Sequence, residues 1–247
     1  MSRVAIVTGA GRGIGRAIAD ALDEAGFTVA RVSLEDEPED GSEADRKGAY
    51  YACDLTDIDA HEALIERIAA DLGEPECLVS NAGVTSLQRG DLLDLSPESY
   101  DRTLAINLRA GFFLAQSFAR RHLARSRGKP GSIIFIGSAN AEIVGDNRAD
   151  YCISKAGVAM MAKLFATRLA AEGITVFEVR PGVIRTTMTE PATARYDALI
   201  ANGGIPMGRW GEPRDIGQAV AALATGAIPY ATGIHIDVGG GLQLHRV

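Results

Sequence analysis

Cysteine is scarce in this chain: Cys53, Cys77 and Cys152 are the only three among 247 residues, and no two form a CxxC pair. That spacing excludes a disulfide frame and a thiolate zinc site, so no metal is expected, and it suits a reducing compartment, the cytoplasm. Cys152 stands beside Tyr151 and is read as a packing residue. Long apolar runs are missing as well; none approaches the ~20 residues that a bilayer span requires, so no membrane role is expected. Positive charge is in deficit, with 25 Lys and Arg against 32 Asp and Glu and a net charge of −7. A nucleic-acid groove or an anionic lipid surface is therefore a poor principal partner. There is no Ser/Pro-rich linker, no low-complexity tract and no repeat of fixed period, so a single domain over 1–247 is expected. The opening stretch MSRVAIVTGAGRG lacks a cleavage-site pattern and reads as a strand rather than a signal peptide. What the chain does have is a 47% apolar composition with 23% charged residues, enough to bury a substantial core.

Short β-rich runs alternate with longer helical patterns. Strands are expected at 3–8, 28–33, 49–54, 76–80, 132–138, 174–180 and 233–239, and several lack the polar alternation of a half-exposed strand. Helices are expected at about 13–25, 58–72, 97–126, 151–172 and 213–225, with Ser96 as an N-cap, Pro97 and Pro213 in first turns, and Gly26, Gly73 and Gly173 at ends. This alternation implies an α/β fold: a doubly wound parallel sheet of about seven strands with helices on both faces, whose ligand lies beyond the carboxyl ends of the strands. Two segments break the rhythm. The acidic stretch EDEPEDGSEADRKG (35–48) reads as a solvated loop. The excursion at 186–213 reads as short helices joined by turns, and its 186–212 part as a lid over the site.

At the end of the first strand, TGAGRGIG (8–15) runs from strand through a glycine turn into a helix. Gly9 permits the turn, Gly13 lets backbone approach a diphosphate, and Gly15 lets helix and strand pack closely. CDL (53–55) and SNAG (80–83) close the third and fourth strands. Asp54 can accept from an adenine amine, Asn81 can pin neighbouring backbone, and Ala82 and Gly83 keep the floor low for a ribose; Asp54 and Asn81 are equally ordinary turn formers.

The chemistry centres on Tyr151 and Lys155, four apart and hence on one helix face. A tyrosine of pKa ~10 exchanges its proton poorly near neutrality, and an adjacent ammonium favours the phenolate. Ser138, at the end of the fifth strand, is placed to hydrogen-bond a substrate carbonyl. Asn107 is a polar residue in an apolar helix, either holding a water that links Lys155 to solvent or simply satisfied by backbone.

These residues resemble the short-chain dehydrogenase/reductase family, and most resemble its 3-oxoacyl-[acyl-carrier-protein] reductases. The resemblance rests on TGAGRGIG (8–15), CDL (53–55), NAG (81–83), Asn107, Ser138, Tyr151-Cys-Ile-Ser-Lys155 and PGVIRT (181–186), in the family's order over nearly the whole chain. It implies a catalytic tetrad of Asn107, Ser138, Tyr151 and Lys155. Implied cofactor contacts are Arg12 and Ile14 in the glycine turn, Leu55 beside Asp54, Pro181 and Gly182, and Val183, Ile184 and Thr186 at the nicotinamide. A homotetramer built on the helices at 97–126 and 151–172 is implied too.

Ser33 occupies the end of the second strand, where NAD-preferring members place an acid; with Arg12 nearby this favours NADP over NAD, while Glu35 and Asp36 weigh the other way. Lys129 matches a basic position suited to an acidic carrier protein, whereas Glu172 stands where carrier-dependent members often have a base. Arg148, Arg185, Arg195 and Arg209 are candidates for an anionic small substrate, with solvated surface arginines as the plainer reading. Expected, then, is reduction of a 3-oxoacyl thioester. The alternatives are a sugar or polyol dehydrogenase and, more remotely, a non-catalytic dinucleotide sensor.

Overall fold

The computed structural model describes residues 3–34, 48–126 and 128–244. Strands β1 (Arg3–Thr8), β2 (Phe27–Ser33), β3 (Gly48–Ala52), β4 (Pro75–Ser80), β5 (Gly131–Ile136), β6 (Ile174–Pro181) and β7 (His235–Val238) form one sheet in the order β3-β2-β1-β4-β5-β6-β7. Every neighbouring pair is parallel. The crossovers carry helices α1 (Gly13–Glu24), α2 (Ala60–Leu72), α3 (Pro97–Leu104), α4 (Gly111–Arg125), α5 (Ala149–Leu169), α6 (Thr193–Ala201) and α7 (Pro213–Ala224).

Successive strand residues feed opposite faces, so both faces need apolar side chains and polar alternation disappears. Ile6, Leu78, Ile133 and Phe135 meet Phe118, Val158 and Met161 on the face covered by α2, α4 and α5. Val7, Val79, Ile134 and Phe177 meet Ile18, Leu22, Ile216 and Val220 on the face covered by α1 and α7. The expected α/β architecture stands.

Differences from the sequence reading fall at ends and at one interruption. β3 stops at Ala52, so Asp54 lies in the following turn; β5 stops at Ile136, leaving Gly137 and Ser138 beyond the sheet edge. β7 is shorter than 233–239 because Gly233 turns the chain at φ +71°. The helix expected at 97–126 is interrupted by a π turn at Ala105–Ala110 that carries Asn107. Ser96 caps α3 as expected, its hydroxyl accepting from the Ser99 N–H at 3.2 Å. The excursion after β6 contains a 3₁₀ turn at Glu190–Ala192 and then α6. Residues 35–47, with Glu35 and Asp36 among them, lie outside the described residues. Among the described residues no helix is long and apolar enough to cross a membrane.

Helices α1 and α7 approach closely where Gly217 sits: a Cβ there would lie 2.5 Å from the Ala17 carbonyl oxygen. Alanine is the better helix former by about 0.8–1.0 kcal/mol. That gain is overridden by a backbone clash, which only separation of the helices relieves. Gly217→Ala is therefore expected to lower the urea midpoint of unfolding, opposite in sign to its helix propensity.

Candidate active site

The strand order reverses between β1 and β4, and the crevice there is where an open parallel sheet receives its ligand. Thr8, the last residue of β1, holds this crevice together. Its hydroxyl accepts from the N–H groups of Asn81 (2.9 Å) and Ala82 (3.0 Å). The Asn81 amide donates in return to the carbonyls of Thr8 (2.9 Å) and Gly9 (3.3 Å). Asn81 thus pins backbone, as one of its two sequence readings had it. Thr8 was not singled out; a threonine closing an apolar strand gives no signal of a hub.

The glycine turn leaves the backbone bare. Gly9 and Gly13 take φ of +65° and +54°, and a Cβ on Gly15 would lie 2.0 Å from the Gly9 carbonyl oxygen. Bare backbone leading into the N-terminus of α1 fits the diphosphate of a dinucleotide. Partly buried Ile14 packs against the α1–α7 core. Ser33 sits within 3.9 Å of a Cβ built on Gly11, which puts its hydroxyl beside the turn that carries Arg12. Thr186 reaches the same turn from the far side, its methyl 3.6 Å from a Cβ built on Gly13. Pro181 ends β6, and Gly182 packs so tightly on Gly239 that a Cβ would come within 2.5 Å of it. Val183 and Ile184 follow as buried residues in two different apolar clusters. Asp54 is exposed, and its Oδ1 accepts from the Thr56 N–H (2.9 Å) and hydroxyl (2.8 Å), so that oxygen serves the turn; partly buried Leu55 packs against the core.

Past the end of β5 the three expected reacting groups converge. The Ser138 hydroxyl stands close enough to the Tyr151 phenol to act on it, and the Lys155 amine lies 5.7 Å from the centre of the tyrosine ring. Lys155 is buried, and its Nζ donates to the Ile136 carbonyl at 2.9 Å. Burial lowers its pKa to about 8, with the nearby charge of Glu178 opposing the fall. The phenol requires a correction. Burial pushes the Tyr151 pKa up, and the neighbouring Ser138 hydroxyl and the Arg148 charge recover only part of that shift. The group is held as a neutral acid instead of being drawn toward phenolate, because desolvation outweighs the neighbouring charges.

Asn107 follows the second of its two readings. Its Oδ1 accepts from the Val84 N–H at 2.8 Å, and its Nδ2 donates to the Val84 carbonyl (2.9 Å) and to Ser154 Oγ (3.0 Å). The side chain is satisfied by backbone and by a neighbouring hydroxyl. It also sets the floor, since a Cβ on Gly83 would lie 3.2 Å from Asn107 Oδ1.

Asp150, fully buried beside Tyr151, escaped the sequence reading. One oxygen accepts from the Tyr151 N–H (2.8 Å) and the Ser86 hydroxyl; the other accepts from Ser99 (2.7 Å) and Thr103 (3.0 Å). It ties the loop after β4, helix α3 and the start of α5 together beneath the phenol. Burial alone would raise its pKa, yet these hydrogen bonds hold it below the usual carboxylate range.

Of the four arginines, Arg185 pairs with Glu212 (3.5 Å) and Arg209 with Asp215 (2.8 Å), while Arg195 is exposed. Arg148 is the one whose charge acts on the phenol. Lys129 is exposed, and Glu172 pairs with Arg168 at 3.3 Å. Cys152 donates weakly to the Gly145 carbonyl at 3.7 Å, in keeping with packing.

Residues 9–243 match the family model described as enoyl-(acyl carrier protein) reductase. The chain belongs to the short-chain dehydrogenase/reductase family. It is 37% identical to a 3-oxoacyl-[acyl-carrier-protein] reductase of Haemophilus influenzae, over 98% of both chains. It is 32% identical to a 2-dehydro-3-deoxy-D-gluconate 5-dehydrogenase of Dickeya dadantii, over 97% of this chain and 94% of that one. A crystal structure of a 3-oxoacyl-[acyl-carrier protein] reductase from Brucella melitensis in complex with NAD superposes with a TM-score of 0.95 at 42% identity, over 100% of this chain and 99% of that one. The chain is accordingly an NAD(P)-dependent oxidoreductase that interconverts a carbonyl and a secondary alcohol.

The sign of the Asp150 shift sets an acid-stability test. A carboxylate with a depressed native pKa stabilises the fold fully above its unfolded pKa of ~3.9, and that stability is lost as pH falls through the native value. Asp150→Asn is expected to flatten the fall in unfolding free energy below about pH 4, measured by urea titration across pH.

Proposed function

We propose that this enzyme reduces 3-oxoacyl thioesters to the 3-hydroxy compounds, using NADPH. What carries the reading is the convergence of Ser138, Tyr151 and Lys155 beyond β5, beside a bare-backbone cradle at the switch point. When bound, the nicotinamide supplies the hydride. Ser138 orients the substrate oxygen, and Tyr151, neutral and desolvated, donates its proton to that oxygen. Lys155 bears a positive charge below about pH 8, steadies the phenol as it loses its proton, and holds ribose hydroxyls. Asn107 and Asp150 hold the framework around them, so the assignment gives Asn107 a supporting part in the expected tetrad.

NADP is favoured over NAD because Ser33 offers a hydroxyl at the end of β2 and Arg12 a cation in the adjoining turn. The 186–212 segment serves as a lid: α6 brings Tyr196 close enough to act on the Tyr151 phenol. Tetramer formation is supported by an exposed apolar stripe on α5, with Ile153, Met160 and Leu164 at 46%, 55% and 58% exposure. The free thiols of Cys53, Cys77 and Cys152 support a cytoplasmic location. An acyl carrier protein as donor is supported by the names of the relatives and by Lys129; the ion pair that occupies Glu172 opposes it weakly.

A sugar-acid substrate is the second reading, favoured by Arg148 beside the phenol and by the gluconate-type relative. Steady-state rates with NADPH and NADH, on 3-oxoacyl thioesters and on a panel of sugar acids and polyols, decide between them. Turnover of thioesters with NADPH is expected; NAD-linked oxidation of a sugar acid without thioester turnover overturns the assignment.

General acid catalysis is worth about 10²–10⁴-fold. Tyr151→Phe is expected to lower kcat by that range with cofactor Kd unchanged, and Lys155→Ala to damage both. Because the Lys155 amine loses its proton above about pH 8, kcat/KM for reduction is expected to fall on the alkaline side of that value.

A further inference from the structure

Two charged residues interrupt the sixth strand, ITVFEVRP, and both are buried: Glu178 at 2% exposure and Arg180 at 3%. Their positions alternate with Phe177 and Val179, which face α1 and α7, so both side chains lie on the α5 side of the sheet. Arg180 Nε stands 2.9 Å from Glu178 Oε2, and Arg180 Nη1 lies 2.5 Å from Glu142 Oε1 on the protein surface. The other Glu178 oxygen, Oε1, is buried with no hydrogen-bond partner.

That oxygen lies against the main chain just past the end of β5. A Cβ built on Gly137 would meet it at 2.1 Å, so it rests against the residue that joins Ile136 to Ser138. The Lys155 amine is anchored from the other element on the Ile136 carbonyl, the opposite end of the same peptide. Burying a carboxylate oxygen without a donor is costly unless a cation compensates it. Arg180 is shared with Glu142, and Glu178 is the carboxylate whose field reaches Lys155.

We propose that Glu178 is a positioning residue that keeps the Lys155 amine in its ammonium form, within a buried file of alternating charges, Lys155–Glu178–Arg180–Glu142, that runs from the active site to solvent. The inference rests on the role given to Lys155 above. It separates two tasks: Asn107 spends its side chain on Val84 and Ser154, and the charge of the lysine is maintained from the sheet face that α5 covers. The other ionisable groups near the file are Tyr151, whose ring centre lies 5.7 Å from the Lys155 amine, His235 and Asp237 on β7, in register with Glu178 and Arg180, and Lys163 on α5 near Glu142.

The test compares wild type with Glu178→Gln, which keeps the shape and removes the charge. The alkaline limb of kcat/KM is expected to move to lower pH by about one unit, the lower end of what a close opposite charge does to a pKa. In the protein without cofactor, the stability lost in Glu178→Gln is expected to shrink as pH rises through 8, because the missing attraction matters only while the amine is charged. Should Glu178→Gln fail to fold, Glu142→Gln at the exposed end is expected to move the limb the same way by a smaller amount. A limb that stays in place, with a stability deficit independent of pH, overturns the proposal and leaves Glu178 a packing residue. A limb that persists in Lys155→Met shows that the lysine is not its source; the role assigned to Lys155 then fails, and this inference with it.

Discussion

Between β1 and β4 the sheet has to part without unravelling, since the chain leaves these neighbouring strands toward opposite faces. The Thr8 hydroxyl and the Asn81 amide meet that constraint with hydrogen bonds in both directions across the seam. Every other feature of the site takes its place from this seam. The glycine turn begins one residue after Thr8, and the floor at Ala82 and Gly83 begins one residue after Asn81. The main chain beyond it is clamped by Asn107 from the π turn, so cradle and substrate pocket share one rigid wall.

The second wall is electrostatic. α5 presents Tyr151 and Lys155 from one face, but their behaviour is set by what lies around them. Desolvation works on the two in opposite directions, raising the phenol and lowering the amine, and so drives their proton affinities apart. A phenol that resists ionisation still carries the proton that a carbonyl oxygen will need. An amine near the edge of its charged range responds to every charge buried beside it. Asp150 contributes by another route, fastening three elements beneath the phenol through hydroxyl and amide donors.

Much of this was legible in the sequence. Unbroken apolar runs between helical patterns announced a sheet covered on both faces, and the motifs at 8–15, 81–83 and 151–155 fell on strand ends and a helix face as their spacing required. Three kinds of feature were not. The π turn leaves no mark in composition, because it is a change of hydrogen-bond register within an ordinary apolar helix. Asp150 looks like any acidic residue in a first helical turn; its partners Ser86, Ser99 and Thr103 are distant in sequence and unremarked singly. The direction of the Tyr151 shift depends on burial in three dimensions, whereas residue spacing reveals only neighbouring charge. The charges of Glu178 and Arg180, by contrast, were visible as interruptions of a buried strand, a signal that could have been followed.

The contact between Glu178 and Gly137 couples two positions that are far apart in the chain. With Glu178 as placed, a methyl group at 137 would meet its Oε1 at 2.1 Å and force the carboxylate to shift, so a lineage that retains the acid is pressed toward glycine before its serine. Relatives with a small residue at 178 are released from that restriction and free to vary at 137. The two sites should drift together through evolution, and the pair would act as a marker dividing the family into branches that tune the same amine by different means.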